Sequence, residues 1–238
     1  MSSLVKERFR KAYLLYDIDL FQANTICESI TKEIKGAVVD FKTTADGIVA
    51  TVEACDQLAL EELSRLLEGT YRQWIVRCGQ GKLEQVFYEC LRDLNLRVTT
   101  AESVTGGMIA SRIINVPGAS KIIREAFIVY SKEAKINNLN VPASVIAEHG
   151  EVSEEVAGEM ARNAQLRTGA DIVVSTTGYA GPKAGNEQLG LVCFGFAIGN
   201  DTTTSSRIFS GSRSHIRKRA TAFALAHVIH ELTIKGDK

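Results

Sequence analysis

The 238-residue chain has little of what marks several kinds of protein. Its five cysteines, Cys27, Cys55, Cys78, Cys90 and Cys193, are odd in number and contain no C-x-x-C pair. That excludes a disulfide framework and a zinc ribbon, and leaves most of them as small core residues. Three prolines and 19 glycines exclude a collagenous or low-complexity chain. Neither sign of charge is in excess: 28 Lys+Arg meet 28 Asp+Glu, so no global field draws the protein to nucleic acid or anionic lipid. The longest apolar run, around Leu189 to Gly199, is too short to span a bilayer, and charge at Lys6, Glu7 and Arg8 stands where a secretory apolar region would begin. The expectation is a cytoplasmic protein with neither membrane nor nucleic acid as partner.

Familiar cofactor motifs are missing too. No G-x-G-x-x-G follows a strand, no G-x-x-x-x-G-K-[ST] occurs, and no H-E-x-x-H is present, which disfavours a dinucleotide fold, a P-loop and a zincin. His227 and His230 could share a helix face, but no nearby Cys or paired carboxylate completes a ligand set, so partly buried histidines are expected there. No metal and no organic cofactor are expected.

What is present is an ordinary globular composition, 45% hydrophobic and 24% charged, in a chain long enough for one large or two small domains. The first part reads as a small α/β unit. A strand at Tyr13–Tyr16 precedes a helix over 19–35, with Leu20, Ala23, Cys27, Ile30 and Ile34 on one face and Gly36 as its stop. Strands Ala37–Phe41 and Ile48–Val52 join through Asp46-Gly47, and a helix Gln57–Leu67 ends before Gly69. Cys78-Gly79-Gln80-Gly81 breaks the pattern, which divides the chain into domains 1–78 and 79–238.

After the break, strands and helices alternate, which argues for a layered α/β domain with a mixed sheet. Helices are expected over Leu83–Leu94, Gly107–Ile114, Ser153–Thr168 and about His215–Ile234. Strands are expected at Val98–Ala101, Ala126–Tyr130, Ile172–Thr176, Leu191–Ile198 and Arg207–Phe209.

The informative segment is Thr99-Thr100-Ala101-Glu102-Ser103-Val104-Thr105-Gly106-Gly107, a strand end that opens a helix. A hydroxyl can project there, unpaired helix N–H groups can stabilise an oxyanion or hold a phosphate, and Gly106 and Gly107 let a ligand approach the backbone. Ser103 or Thr105 could equally be a helix N-cap. No histidine is near enough in sequence to serve Ser103 as base, but Tyr130 and Lys135 supply a phenol and an amine that could. Lys132 and Lys135 could equally be solvated helix charges. Ser175 to Pro182 ends an apolar strand in a Gly/Pro loop suited to a ligand crevice, and Ser210 to Arg217 brings guanidinium groups to a helix start, suited to phosphate.

Taken in order, Thr100-Ala101-Glu102-Ser103 with Thr105-Gly106-Gly107, Val116-Pro117-Gly118-Ala119-Ser120, Tyr130-Ser131-Lys132-Glu133-Ala134-Lys135, His149-Gly150-Glu151-Val152-Ser153, Thr177-Gly178-Tyr179-Ala180-Gly181-Pro182 and Arg217 resemble the C-terminal domain of the CinA (competence/damage-inducible) family. The stand-alone form of that domain is a nicotinamide-nucleotide amidase (PncC-like). The resemblance implies a three-layer α/β/α amidase domain with a mixed sheet, preceded by a small α/β KH-type connector. It implies hydrolysis of the carboxamide of nicotinamide mononucleotide to nicotinate mononucleotide and ammonia. Ser103 would be the nucleophile, with Tyr130 and Lys135 assisting its deprotonation. Glu102, Thr105, Gly106, Gly107, Thr177, Gly178 and Arg217 would form the substrate site. A homodimer or larger symmetric oligomer is the expected assembly. The sequence departs from the family's pattern at Val104, where cysteine is common, and at Lys183-Ala184-Gly185-Asn186, where a glycine-rich tract is expected. The alternative class is a catalytically inactive CinA-like binding or scaffolding protein.

Overall fold

The computed structural model of the protein describes residues 9–31, 37–78, 81–182, 185 and 187–236. The chain divides into two compact units, one of residues 1–82 with 229–238 and one of residues 83–228. Residues 229–238 thus group with the first unit, whereas the sequence division at 78/79 left them in the second.

The first unit runs β1 (Phe9–Leu15), α1 (Leu20–Thr31), β2 (Ala37–Thr44), β3 (Gly47–Ala54), α2 (Gln57–Thr70) and β4 (Ile75–Cys78). Its sheet has the order β2-β3-β1-β4 with every neighbouring pair antiparallel. This is the split β-α-β arrangement. The alternating pattern of β3 sends Ala50, Val52 and Ala54 to one face, where they meet Ala23, Cys27 and Ile30 of α1 and Leu60, Leu63 and Leu67 of α2.

Three expectations are corrected here. The hairpin loop is Ala45-Asp46, because Thr44 pairs with Gly47, and Gly47 opens β3 with φ +137 where an added Cβ would collide with the Leu15 carbonyl oxygen. Gly69 lies inside α2, which continues to Thr70 and is capped at Tyr71 by an N–H bond to the Leu67 carbonyl. Leu20 stays 42% exposed and does not join the α1 core face. Ile34 and Gly36 lie outside the described residues, as do Gly79 and Gln80 of the expected break.

The second unit begins with α3 (Leu83–Asp93), β5 (Val98–Glu102), α4 (Met108–Ile114), a 3-10 turn at Ala119–Lys121 and β6 (Ile123–Ile128). It continues through α5 (Lys132–Leu139), α6 (Ala143–His149), α7 (Glu154–Thr168), β7 (Ile172–Gly178), β8 (Leu191–Ile198), β9 (Asp201–Ile208) and α8 (Arg213–Gly236). The sheet order is β6-β5-β7-β8-β9; β5 runs parallel to β6 and β7, while β8 and β9 are antiparallel additions, so the sheet is mixed as expected. Period-2 alternation along β8 separates its two faces. Phe194 and Phe196 face α8, where they meet the rings of Phe223 at 4.8 Å and His227 at 4.2 Å. Ser175 and Gly195 face α7, and the Ser175 hydroxyl donates to the Ala157 carbonyl at 2.5 Å. Helices therefore cover both faces, giving three α/β/α layers.

Gly195 is the tightest point of that packing. An added Cβ would stand 2.6 Å from Ser175 Oγ and closer still to the Ala157 carbonyl oxygen. Gly195→Ala is expected to cost about 1–3 kcal/mol, because backbone of α7 and not a flexible side chain blocks the space. A drop in the urea midpoint at unchanged slope would register this, and an unchanged midpoint would refute it.

Candidate active site

The three parallel strands end on one edge of the sheet, where a ligand crevice forms in open α/β folds. β5 ends at Glu102, β6 at Ile128 and β7 at Gly178. Each is followed by a residue of interest: Ser103, Tyr130 and Tyr179. The expected strand at Ala126–Tyr130 is therefore corrected: β6 starts earlier and stops at Ile128. A further bond from the Val129 N–H to the Glu102 carbonyl, 2.9 Å, carries the chain past the end of β5 before Tyr130.

Glu102 explains how Ser103 is left free. Its fully buried carboxylate accepts from the N–H of Ile109 at 3.1 Å and of Ala110 at 2.9 Å, at the first turn of α4. The helix cap position is Gly107, φ +87, which has no side chain to do this. Neither Ser103 nor Thr105 caps the helix, so the capping alternative is corrected. Two of the helix amides expected to face an oxyanion or phosphate, those of Ile109 and Ala110, serve Glu102 instead. Glu102 is not among the residues that line the cavity described below. Glu102→Ala strands one buried and one half-buried donor and is expected to cost about 1–3 kcal/mol, a loss read by thermal or chemical unfolding. Unaltered stability would contradict the capping role.

The loop after Ser103 is held from two sides. The Ser103 N–H donates to the Thr176 carbonyl at 2.9 Å, and the hydroxyls of Thr105 and Thr176 meet at 2.8 Å. Arg217 donates through Nε to the Val104 carbonyl at 3.0 Å and through Nη2 to the Thr105 carbonyl at 2.7 Å. Gly106, φ +57, lies under that guanidinium, an added Cβ standing 3.1 Å from Arg217 Nη2. Among the described residues the Ser103 hydroxyl has no hydrogen-bond partner.

Ser103 opens on a cavity of about 350 Å³ whose walls include Val104, Tyr130, Lys135, Glu151, Thr177, Gly178, Tyr179, Glu187 and Arg213. Lys135 reaches it from α5, whose start is fixed by the Ser131 hydroxyl accepting from the Ala134 N–H at 3.1 Å. Its side chain is buried and its Nζ donates to Glu151 Oε2 at 3.3 Å. The buried Thr177 hydroxyl donates to the Glu151 carbonyl at 2.8 Å, which fixes that residue beside the lysine. Tyr130 is 63% exposed, and its hydroxyl accepts from Arg213 Nη2 at 3.1 Å. Burial, with the Glu187 and Glu151 carboxylates nearby, pushes the Tyr179 phenol above its ordinary value, so it stays a neutral donor.

Of the residues expected at the site, Ser103, Tyr130, Lys135, Thr177 and Gly178 are brought to one cavity. Glu102, Thr105, Gly106, Gly107 and Arg217 build the loop behind it. Glu151 and Tyr179 line it without having been singled out, although each stands in a motif quoted above, and Arg213 lines it as one of the guanidinium groups expected at a helix start. Lys183, Ala184 and Asn186 lie outside the described residues. A larger cavity, about 660 Å³, lies against α7, β8 and β9 and shares only Val152 with this one; Ser103, Tyr130 and Lys135 are not in it. The candidate metal pair is accounted for by packing: His227 lies on Phe196 and Phe223, and burial lowers the pKa of His230.

A three-layer α/β/α domain with a free serine and a buried lysine at the parallel edge of its mixed sheet is the class that the fold and site define. The family model of the CinA C-terminal domain matches residues 80–232, and the chain belongs to that family. It is 38% identical over 194 residues to a CinA-like protein of Kosmotoga olearia, covering 81% of this chain and 44% of the relative. It is 33% identical over 223 residues to a putative competence-damage inducible protein of Clostridium novyi, covering 93% of this chain and 53% of the relative. The chain thus spans about half the length of these relatives. The crystal structure of a competence or damage-inducible protein from Enterobacter asburiae superposes with a TM-score of 0.61 at 34% identity, over 63% of this chain and 96% of that one. No helix among the described residues is long and apolar enough to cross a membrane.

Proposed function

We propose that the chain is a cytoplasmic nicotinamide-nucleotide amidase, converting nicotinamide mononucleotide and water to nicotinate mononucleotide and ammonia. The observation that carries this reading is the cavity in which an unengaged serine hydroxyl, a buried lysine and a tyrosine meet at the ends of three strands. Ser103 Oγ attacks the carboxamide carbon, and its proton passes, with Tyr130 as relay, to Lys135, which acts as base in its neutral amine form. The tetrahedral intermediate collapses as Lys135 gives that proton to the leaving nitrogen, releasing ammonia and leaving an ester on Ser103. Water then attacks that ester, returning the hydroxyl to Ser103 and releasing nicotinate mononucleotide.

Glu102, by capping α4, and Arg217, by holding the Val104 and Thr105 carbonyls, are positioning residues in this scheme. The reading is tested by incubating the purified protein with nicotinamide mononucleotide, with and without chelator, and measuring ammonia and nicotinate mononucleotide together. Equimolar products insensitive to chelator are expected. Nucleotide binding without turnover would overturn the amidase reading.

A further inference from the structure

The wall of the Ser103 cavity is not uniform in charge. Lys135 is already committed, its Nζ on Glu151. Glu151 and Glu187 lie toward Tyr179, whose phenol senses both. Among the described residues Arg213 is the remaining cation on the wall, and no carboxylate stands within ion-pair distance of it. Its guanidinium spans two neutral oxygens instead, donating through Nη1 to the Gly181 carbonyl and through Nη2 to the Tyr130 hydroxyl. A guanidinium has five N–H donors, so three remain for a ligand, and the two bonds already made keep its plane fixed at the cavity rim. Arg213 is also the first residue of a 24-residue helix, whose N-terminal dipole adds to the positive potential there.

We propose that Arg213 is the specificity-determining residue of this cavity: it binds the phosphate monoester of the substrate and so selects a nucleotide over the corresponding nucleoside. This rests on the amidase reading for the identity of the substrate, but the anion site itself stands on Arg213 and the cavity. The arrangement gives the substrate a direction. Its phosphate lies at the α8 rim on Arg213, and its cationic ring lies toward the Tyr179 wall, where carboxylates favour positive charge and an aromatic face can stack on it. A nucleoside offers the guanidinium no anion.

Arg213 could instead matter only by steadying Tyr130, and the two roles separate by substrate. kcat and KM are measured for nicotinamide mononucleotide and for nicotinamide riboside, which has the same amide, ring and sugar without the phosphate. In Arg213→Ala, kcat/KM for the nucleotide is expected to fall about 10- to 100-fold more than that for the riboside, mainly through KM. Arg213→Lys should keep part of the discrimination as a point charge. An equal fall for both substrates, carried by kcat, would assign Arg213 to Tyr130 and overturn the proposal.

A second measurement does not need turnover. Calorimetric titration with ribose 5-phosphate and with ribose should show binding of the phosphate compound alone, weakened about 10-fold or more by Arg213→Ala. Loss of ammonia release with this phosphate-dependent binding intact would sink the amidase reading and leave the anion site standing. Binding of ribose 5-phosphate that is absent, or indifferent to Arg213→Ala, would overturn the anion site whatever the amide chemistry.

Discussion

Ser103→Ala is expected to keep its fold and to lose ammonia release by about four orders of magnitude or more. The two halves of that result come from different atoms. The Ser103 backbone N–H, which pairs with the Thr176 carbonyl, survives the substitution, and α4 remains capped by Glu102. The hydroxyl that is removed holds nothing in place, so stability should move by no more than about 0.5 kcal/mol. A serine that capped its helix would have cost about 0.5–2 kcal/mol and left turnover largely intact. Circular dichroism melts alongside an ammonia assay decide between them, and substantial activity in a folded Ser103→Ala protein would eliminate the covalent route.

Lys135→Arg should lower kcat by about 100-fold or more, with nucleotide affinity changed far less. Arginine keeps a cation opposite Glu151 but does not take up or release a proton under these conditions, so it can stand in for the ion pair and not for the base. The neighbouring lysine is the internal comparison. Lys132, one position into α5, is half-buried and outside the cavity, and Lys132→Arg should stay within about twofold of the wild type. Steady-state kinetics on both variants, with nucleotide titrations on the same samples, give the answer. An inactive Lys132→Arg beside an active Lys135→Arg would show that the base has been assigned to the wrong lysine.

The mixed α/β domain was legible because the apolar segments of β7 and β8 are short, contiguous and bounded by turn residues. The edge strand β9, Asp-Thr-Thr-Thr-Ser-Ser-Arg-Ile, was read only at its end, since a solvent-facing edge needs no apolar alternation. α6, seven residues long, was not expected at all, because its one buried residue, Ile146, makes no periodic pattern. At the site, Ser103, Tyr130 and Lys135 could be picked out by residue type and order. The role of Glu102 could not, for nothing in a sequence says that a carboxylate at a strand end will turn back to cap a helix seven residues on. The guanidinium of Arg213 was legible as one suited to phosphate at a helix start, but its bond to Tyr130, 83 residues away in the chain, was not.

The central claim is that Ser103 itself carries the acyl group between the amide and water. Acid quench of the enzyme during turnover of nicotinamide mononucleotide, followed by mass spectrometry of the peptide containing Ser103, measures this most directly. A nicotinoyl-nucleotide ester on that peptide, present in the wild type and absent in Ser103→Ala, is the expected result. Full-rate ammonia release by both proteins, with that peptide never modified, would contradict it.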